Sequence, residues 1–206
     1  MRRLVVIRHA EVEASMSGRI YGRLDPPLAA AGRAHAEGLA ARLAAVPLEA
    51  IFSSPARRAL ETAAPLARRL ELEISVHSGL EEIDFGQWEG LTFDEVERRD
   101  PELYRAWMTG PPGKRFPGGE DYAELKARVL AAVAEIRASG ASAVLVAHGG
   151  VNRVILADAL GLADADIFRL DQPLGAVSVV DWIEDVPIVR ALNAAVESTA
   201  WLARSS

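Results

Sequence analysis

The sequence predicts an α/β fold with three layers, in which helices cover both faces of a mostly parallel sheet. Short apolar runs such as LVVI at 4–7 and AVLVA at 143–147 alternate with longer segments rich in alanine and leucine. Strands that alternate with helices are typical of a parallel sheet. The 206 residues are enough for one core of ordinary size and few for two. We therefore expect a single domain over residues 1–206, with a mobile or weakly helical tail at 195–206.

Six short segments have the pattern of strands. Each is short, apolar and bounded by charged residues, glycine or proline. They are residues 4–7, 50–52, 74–76, 143–147, 176–183 and 187–192. The first is apolar throughout and rich in β-branched residues, which predicts a buried strand.

Composition, capping residues and apolar periodicity predict the helices between these strands. They are residues 32–45, 55–70 and 150–160, one or two short helices over 92–108 that are interrupted at Pro101, and a long helix from about Tyr122. For the second helix, Ser53 or Ser54 is expected to cap the amino end and Pro55 to occupy the first position. In the long helix, apolar side chains recur at three- and four-residue steps. The segments 10–28, 79–90 and 109–120 are expected to be loops.

The composition excludes several classes of function. The net charge is −6, which disfavours nucleic acid and anionic membranes as partners. The absence of cysteine excludes disulfides, thiolate metal sites and thiol nucleophiles. No apolar run approaches the roughly 18 residues of a membrane-spanning helix. We expect a cytoplasmic protein that acts on a small molecule.

Polar side chains follow the predicted strands at the points where the strands end. They are Arg8 and His9, Ser53 and Ser54 with Arg57 and Arg58, Glu81, Glu82 and Asp84, and His148. Ligands of an open α/β sheet bind outside the carboxyl ends of its strands. Two imidazoles, at least two guanidinium groups and a carboxylate are therefore expected in one cleft.

This set of side chains suits phosphoryl transfer. The transferred group spreads negative charge over three oxygens, and catalysis consists mainly of positioning and electrostatic stabilisation. Arginines can supply the positive charge that Mg²⁺ supplies in other enzymes, because a guanidinium is always charged and donates in a planar fork. A neutral imidazole is a competent nucleophile near neutral pH, and a carboxylic acid can protonate the leaving oxygen.

Five motifs resemble those of the histidine phosphatase family, also called the phosphoglycerate mutase-like family. They are RHAE at 8–11, SSPARRALETA at 53–63, EIDFGQWEG at 82–90, PGGE at 117–120 and AHGG at 147–150. They occur in family order and span most of the chain. Within the family, GRIYGRLDPPL and EIDFGQWEG look most like the branch of α-ribazole phosphatases and small broad-specificity phosphatases.

The resemblance implies a role for each matching residue and implies neither a metal ion nor a cofactor. His9 is the expected nucleophile, Glu82 the expected proton donor, and Arg8, Arg58 and His148 the expected phosphate-binding residues. The family arginine stands four residues before the threonine of ARRALET, which selects Arg58 over Arg57. The expected substrate contacts are Ser15, Tyr21, Gly22 and Gly149. His35 and His77 are expected to be structural, and Trp107 is a candidate for the wall of the cleft.

The chain departs from the family pattern at three positions near the expected nucleophile. The family usually reads R-H-G-E-[ST]-x-x-N, whereas this chain has Ala10, Val12 and Ser15. Alanine is tolerable unless the backbone needs a positive φ angle. Valine removes a potential phosphate donor, and serine is shorter than asparagine. These changes put substrate contacts in question more than the class of reaction.

Two alternatives to a phosphomonoesterase stay open from the sequence. A phosphoglycerate mutase would need further basic residues for a second phosphate, and here the basic residues after the acidic motif are few and scattered. A non-catalytic phosphate-binding module would keep the fold without turnover.

The segment GPPGKR at 110–115 lacks P-loop spacing, and no G-x-S-x-G elbow of a serine hydrolase occurs. A homodimer is an option that the sequence does not decide.

Overall fold

The computed structural model describes residues 2–110, 113 and 115–194. Within these residues, six strands form one sheet in the order β3-β2-β4-β1-β5-β6. The strands are Arg2–Arg8 (β1), Ala50–Ser53 (β2), Ile74–Val76 (β3), Ala143–Ala147 (β4), Val177–Ile183 (β5) and Val186–Ala194 (β6). The pairs β3–β2, β2–β4 and β4–β1 are parallel, and β5 runs antiparallel to both β1 and β6. The sheet is therefore mostly parallel, as predicted.

The described helices alternate with the parallel strands. They are Ala30–Leu43 (α1), Arg57–Leu70 (α2), Phe93–Arg99 (α3), Pro101–Met108 (α4), Tyr122–Ala138 (α5) and Gly149–Leu160 (α6). Short 3-10 segments occur at Ala14–Met16, Ser78–Leu80, Gly86–Trp88 and Asp164–Arg169. Pro101 opens α4 directly after α3 ends, which confirms the predicted interruption there. None of these helices is long and apolar enough to cross a membrane.

The side chains of β1 show why the sheet has helices on both faces. Successive side chains of a strand point to opposite faces. Leu4 and Val6 pack into the cluster that contains the buried faces of α5 and α6. Val5 and Ile7 pack into the cluster that contains those of α1 and α2. Both faces are buried, which confirms the three-layer α/β prediction.

The register of the central strands places the polar strand ends together. Arg8 of β1 is paired with Ala147 of β4, so that His9 and His148 leave the sheet side by side. Ser53 of β2 is paired with Val146, which places Ser54 at the same edge. Carboxyl ends of parallel strands are where such folds bind ligands.

The start of α2 differs from the sequence prediction. The helix begins at Arg57 with Ala56 as the capping residue, and no side chain caps it. The hydroxyls of Ser53 and Ser54 are engaged before the helix: Ser53 donates to the carbonyl of Ser54 at 2.9 Å, and Ser54 Oγ accepts the backbone N–H of Ala56 at 3.3 Å. Because this turn uses the hydroxyl of Ser54, the helix starts two residues later than predicted. The tail at 195–206 lies outside the described residues.

Candidate active site

A cavity of about 750 Å³ opens near the carboxyl ends of β1 and β4. Six of the nine residues singled out by the sequence line it: Arg8, His9, Tyr21, Gly22, Glu82 and Gly149. Arg58 and His148 are buried directly behind its wall, against Tyr21 and His9 respectively. Ser15 is exposed in the 3-10 segment Ala14–Met16 and does not line the cavity. The structure thus brings together eight of the nine.

His9 is buried and held in one orientation. Its Nδ1 lies 2.9 Å from the carbonyl oxygen of Ala10, and because a carbonyl only accepts, Nδ1 carries the proton and Nε2 a lone pair. Burial, and then the charges of Arg58 and Arg8, hold the pKa of His9 well below its usual range. The imidazole is therefore neutral near pH 7, as a nucleophile must be.

Ala10 and Val12 have structural roles that explain the departures from the family pattern. Ala10 is buried and has no positive φ angle, so a side chain is tolerated there. Its N–H donates to Thr62 Oγ1 at 3.0 Å, and that hydroxyl donates to the carbonyl of Arg58 at 2.7 Å. Val12 packs with Ala10 and Leu28 in a small apolar cluster. Thr62 thus links the nucleophile loop to α2, a function that its place in the ARRALET motif could have suggested.

Arg58 anchors the loop that carries Tyr21 and Gly22. Its side chain is 1% exposed and donates to the carbonyls of Leu24 at 2.6 Å and Gly22 at 2.7 Å. The guanidinium also lies over the Tyr21 ring, 5.0 Å from its centroid. Arg57, by contrast, is exposed and pairs with Glu61 on the same helix. Of the two adjacent arginines, Arg58 is therefore the buried one that contacts the cavity-lining loop, as the motif predicted.

Three buried nitrogen atoms around this pocket have no hydrogen-bond partner among the described residues. They are Arg8 Nε, Arg58 Nε and His148 Nδ1. A buried donor without a partner is costly, and such groups are normally satisfied by protein, water or ligand. Because the three belong to side chains that line the cavity or touch one that does, they indicate a site for an anion.

Ser54 determines which nitrogen of His148 can face that anion. His148 Nε2 lies 2.7 Å from Ser54 Oγ, and Ser54 Oγ already accepts the N–H of Ala56. Ser54 can therefore donate its proton to Nε2, which leaves the proton of a neutral imidazole on Nδ1. Burial, and then the charge of Arg58, hold the pKa of His148 well below its usual range. His148 is thus a neutral donor.

Glu82 is the acidic residue that reaches the cavity. Its Oε1 accepts the N–H of Ile83 at 2.9 Å, and its Oε2 accepts the N–H of Gly150 at 3.1 Å. A Cβ at residue 150 would collide with Oε1, so a side chain there would displace the carboxylate from its present position. Glu81 instead pairs with Arg23 outside the cavity. Of the neighbouring acids, Glu82 is the one placed to exchange a proton with a bound group.

Glu89 was not singled out from the sequence, although it is the last residue but one of the EIDFGQWEG motif. Its carboxylate accepts the N–H groups of Arg23 at 2.8 Å, Leu24 at 3.1 Å and Phe85 at 3.3 Å. Burial raises its pKa. Gly22 has φ +26°, and a Cβ there would collide with Glu89 Oε1. Glu89 thus fixes the loop that Arg58 holds from the other side.

An aromatic wall faces these polar groups across the cavity. Its members are Phe85, Phe93, Tyr104, Trp107, Phe116 and Phe168. Trp107 stacks on Phe93 at 5.9 Å between ring centroids and meets Phe168 edge-on at 6.0 Å. The prediction that Trp107 lines the cleft is therefore confirmed. Arg115 pairs with Glu124 and does not line the cavity.

Comparisons with known proteins agree with this geometry. Residues 4–195 match the family model of the histidine phosphatase superfamily (branch 1). The chain is 32% identical over 195 residues to phosphoserine phosphatase 1 of Hydrogenobacter thermophilus, with 94% of this chain and 92% of that protein covered. The crystal structure of the alpha-ribazole phosphatase from Shigella flexneri superposes with a TM-score of 0.84 at 27% identity, with 93% and 96% of the two chains covered.

A third relative is longer than this chain. The chain is 36% identical over 197 residues to a bifunctional protein of Mycobacterium tuberculosis, with 93% of this chain and 53% of that protein covered. The chain therefore spans about half the length of some relatives that it matches. Since the family model covers nearly all of the described residues, the chain belongs to branch 1 of the histidine phosphatase superfamily.

Proposed function

We propose that the chain is a metal-independent phosphomonoester hydrolase that works through a phosphohistidine intermediate. One observation carries the proposal: the neutral, buried His9 exposes a lone pair on Nε2 beside three buried donors that lack partners. A tetrahedral phosphoryl group would satisfy those donors while its phosphorus faces the imidazole. The fixed charges of Arg8 and Arg58 would then supply the electrostatic stabilisation that phosphoryl transfer needs.

The reaction has two steps. First, His9 Nε2 bonds to phosphorus as the phosphorus–oxygen bond to the alcohol breaks, and the carboxylic acid of Glu82 gives its proton to the departing oxygen. Second, a water molecule attacks phosphorus while Glu82 takes its proton, and the bond to His9 breaks to release inorganic phosphate. His148 donates from Nδ1 to a phosphoryl oxygen in both steps. Glu82 must be protonated at the start and regains that state at the end.

The nucleophile is tested with p-nitrophenyl phosphate in the presence of EDTA. We expect His9→Ala to lower kcat by at least about a thousandfold and Arg58→Gln to lower it by about a hundredfold. Arg57→Gln is the matched control, because Arg57 is exposed and pairs with Glu61. Turnover retained by His9→Ala, or abolished by EDTA in the wild-type protein, would contradict the mechanism.

A mutase is disfavoured by where the basic residues lie. A second phosphate needs several further cations at the cavity, yet none of the described arginines between the acidic motif and α5 lines it. Arg99, for example, bonds to Gln87 instead. Incubation with 3-phosphoglycerate and 2,3-bisphosphoglycerate should therefore yield inorganic phosphate and no 2-phosphoglycerate.

A non-catalytic phosphate-binding module is the second alternative. Trapping a ³²P-labelled, acid-labile adduct on the protein would dismiss it.

The substrate is proposed to be a small phosphorylated metabolite. Two similar proteins are named for phosphoserine and for alpha-ribazole, so phosphoserine and α-ribazole 5′-phosphate are the first compounds to assay. The cavity, at about 750 Å³, lies within the range of roughly 300–1,000 Å³ for small-molecule sites. The cytoplasmic location, the absence of nucleic-acid and membrane partners and the option of a homodimer stay predictions.

A further inference from the structure

A further cation, Arg153, lines the cavity and has no part in the proposed chemistry. It lies on α6 four residues after Gly149, and residues four apart share one face of a helix. Its Nη1 would lie 3.2 Å from a Cβ at Gly149, and the Cζ of Arg8 would lie 3.5 Å from the same point. The two guanidinium groups therefore flank Gly149 at one end of the cavity.

Arg153 is held in place without being neutralised. Its Nε donates to the carbonyl of Leu170 at 2.8 Å, and its Cζ lies 5.6 Å from the centroid of the Phe168 ring. In the described part of the chain, no carboxylate forms an ion pair with it and its terminal nitrogens make no hydrogen bond. Burial lowers its pKa, although a guanidinium stays charged in proteins. A partly buried charge without an anion is unfavourable, and a ligand can supply that anion.

Arg153 lies beside Arg8 at the edge of the phosphoryl site and extends from there to the aromatic wall. The unpartnered donors of Arg8, Arg58 and His148 gather around His9, whereas Arg153 packs on Phe168 of the aromatic wall. A leaving group bound along that wall would bring its own substituents to the two terminal nitrogens of Arg153. These nitrogens form one edge of a planar fork, which matches the two oxygens of a carboxylate.

We propose that Arg153 and Phe168 form a subsite for a carboxylate of the leaving group. The inference rests on the proposed function and names its substrate class: phosphomonoesters of an alcohol or phenol that carries a carboxylate and an apolar or ring portion. A carboxylate fits better than a second phosphate, because the two terminal nitrogens of this guanidinium match the two oxygens of a carboxylate, whereas a phosphate dianion needs more positive charge. The apolar portion packs on the aromatic wall.

The test compares phenyl phosphate with 3-carboxyphenyl phosphate, which differ by one carboxylate. We expect the wild-type protein to prefer the carboxylated ester in kcat/KM. Arg153→Gln should lower the ratio of the two kcat/KM values by about tenfold to a hundredfold, the worth of a charge-assisted hydrogen bond. Arg169→Gln is the matched control: this arginine is 80% exposed, pairs with Asp166, and should leave the ratio unchanged. An equal fall for both esters would overturn the subsite.

Binding separates failure of the subsite from failure of the proposed function. In a His9→Ala background, calorimetry should show that Arg153→Gln weakens binding of 3-carboxyphenyl phosphate by about tenfold or more and leaves phenyl phosphate unaffected. If the wild-type protein hydrolysed neither ester, the proposed function would fail. The binding measurements would still decide whether Arg153 forms the subsite. Equal dissociation constants with and without Arg153 would overturn the subsite whatever the activity.

Discussion

At the scale of single residues, the arrangement depends on hydrogen bonds that fix which nitrogen of each histidine carries a proton. The carbonyl of Ala10 leaves the lone pair of His9 on Nε2, and the hydroxyl of Ser54 leaves the proton of His148 on Nδ1. Burial, and then the arginine charges that attract an anion, keep both imidazoles neutral. A nucleophile and a donor can therefore lie 5.3 Å apart, measured between ring centroids, without repelling each other.

Ser54 can be tested against the serine beside it. Ser54→Ala removes the partner of His148 Nε2, so the imidazole can move its proton to Nε2 and lose the donor at Nδ1. We expect kcat with p-nitrophenyl phosphate to fall by about tenfold. Ser53→Ala is the matched control, because Ser53 is equally buried and donates only to the carbonyl of Ser54. Equal effects of the two substitutions would show that Ser54 acts through folding alone.

The two buried histidines also predict how stability depends on pH. Their pKa values are lowered in the folded protein, so below about pH 6.5 the unfolded chain binds protons that the folded chain does not. Stability is therefore present above that pH and lost as the pH falls, by up to about 1.4 kcal/mol per pH unit for each histidine. Urea unfolding between pH 7 and pH 5 measures this slope.

Replacing one of these histidines identifies its share of the slope. His148→Gln should reduce the pH dependence of the free energy of unfolding, since glutamine does not titrate. His35→Gln, on the exposed side of α1, controls for the loss of an imidazole as such. An unchanged slope in His148→Gln would mean that His148 is protonated in the folded protein.

At the scale of elements, α5 supports the segment that carries Glu82. Arg128 of α5 donates to the carbonyls of Gly79 at 3.0 Å, Glu81 at 2.6 Å and Glu82 at 3.0 Å. Its Nε and Nη2 also bond to the carboxylate of Glu120, each at 2.8 Å. Glu120 and Arg128 thus hold the candidate acid in place, although neither side chain lines the cavity.

A double-mutant cycle on Glu120 and Arg128 tests this support. Glu120→Gln and Arg128→Gln should each lower kcat and the free energy of unfolding, because each substitution leaves the remaining charged partner without its opposite charge. The double variant should be less damaged than the sum of the two, with a coupling of about 0.5–3 kcal/mol in unfolding. Glu124→Gln is the control, since Glu124 pairs with exposed Arg115. Strict additivity would rule out the proposed support.

The elements also show what a sequence can predict here. The strands are predictable because most of their short apolar runs end at polar or charged residues. The site residues are predictable because the family motifs lie at the carboxyl ends of these strands. The start of α2 was missed because the hydroxyl of Ser54 takes part in a turn before the helix and also bonds to His148, which is 94 residues distant in sequence. Arg153 and Glu89 were missed for the same reason: their neighbours come from other elements. Ser15 was carried over from a family position, and the local 3-10 turn leaves it exposed.

At the scale of the whole molecule, a negative protein holds a positive pocket. The net charge is −6, yet the pocket gathers Arg8, Arg58 and Arg153, from β1, α2 and α6. Such local charge attracts an anion even where the overall field does not. Because the elements meet at one edge of the sheet, an anion bound there connects segments that are distant in sequence, and its binding should stabilise the entire fold.

Phosphate and its analogue vanadate should therefore raise the melting temperature in a saturable way. A ligand at a hundred times its Kd stabilises a protein by about 2.7 kcal/mol, which corresponds to a shift of about 5–10 °C for a domain of this size. Sodium chloride at equal ionic strength separates this specific effect from screening of the net charge. Arg58→Gln should lose most of the shift, whereas Arg57→Gln should keep it because its side chain points to solvent. A shift that rises linearly with any salt, and is equal in both variants, would mean that the unpartnered donors around His9 do not form an anion site.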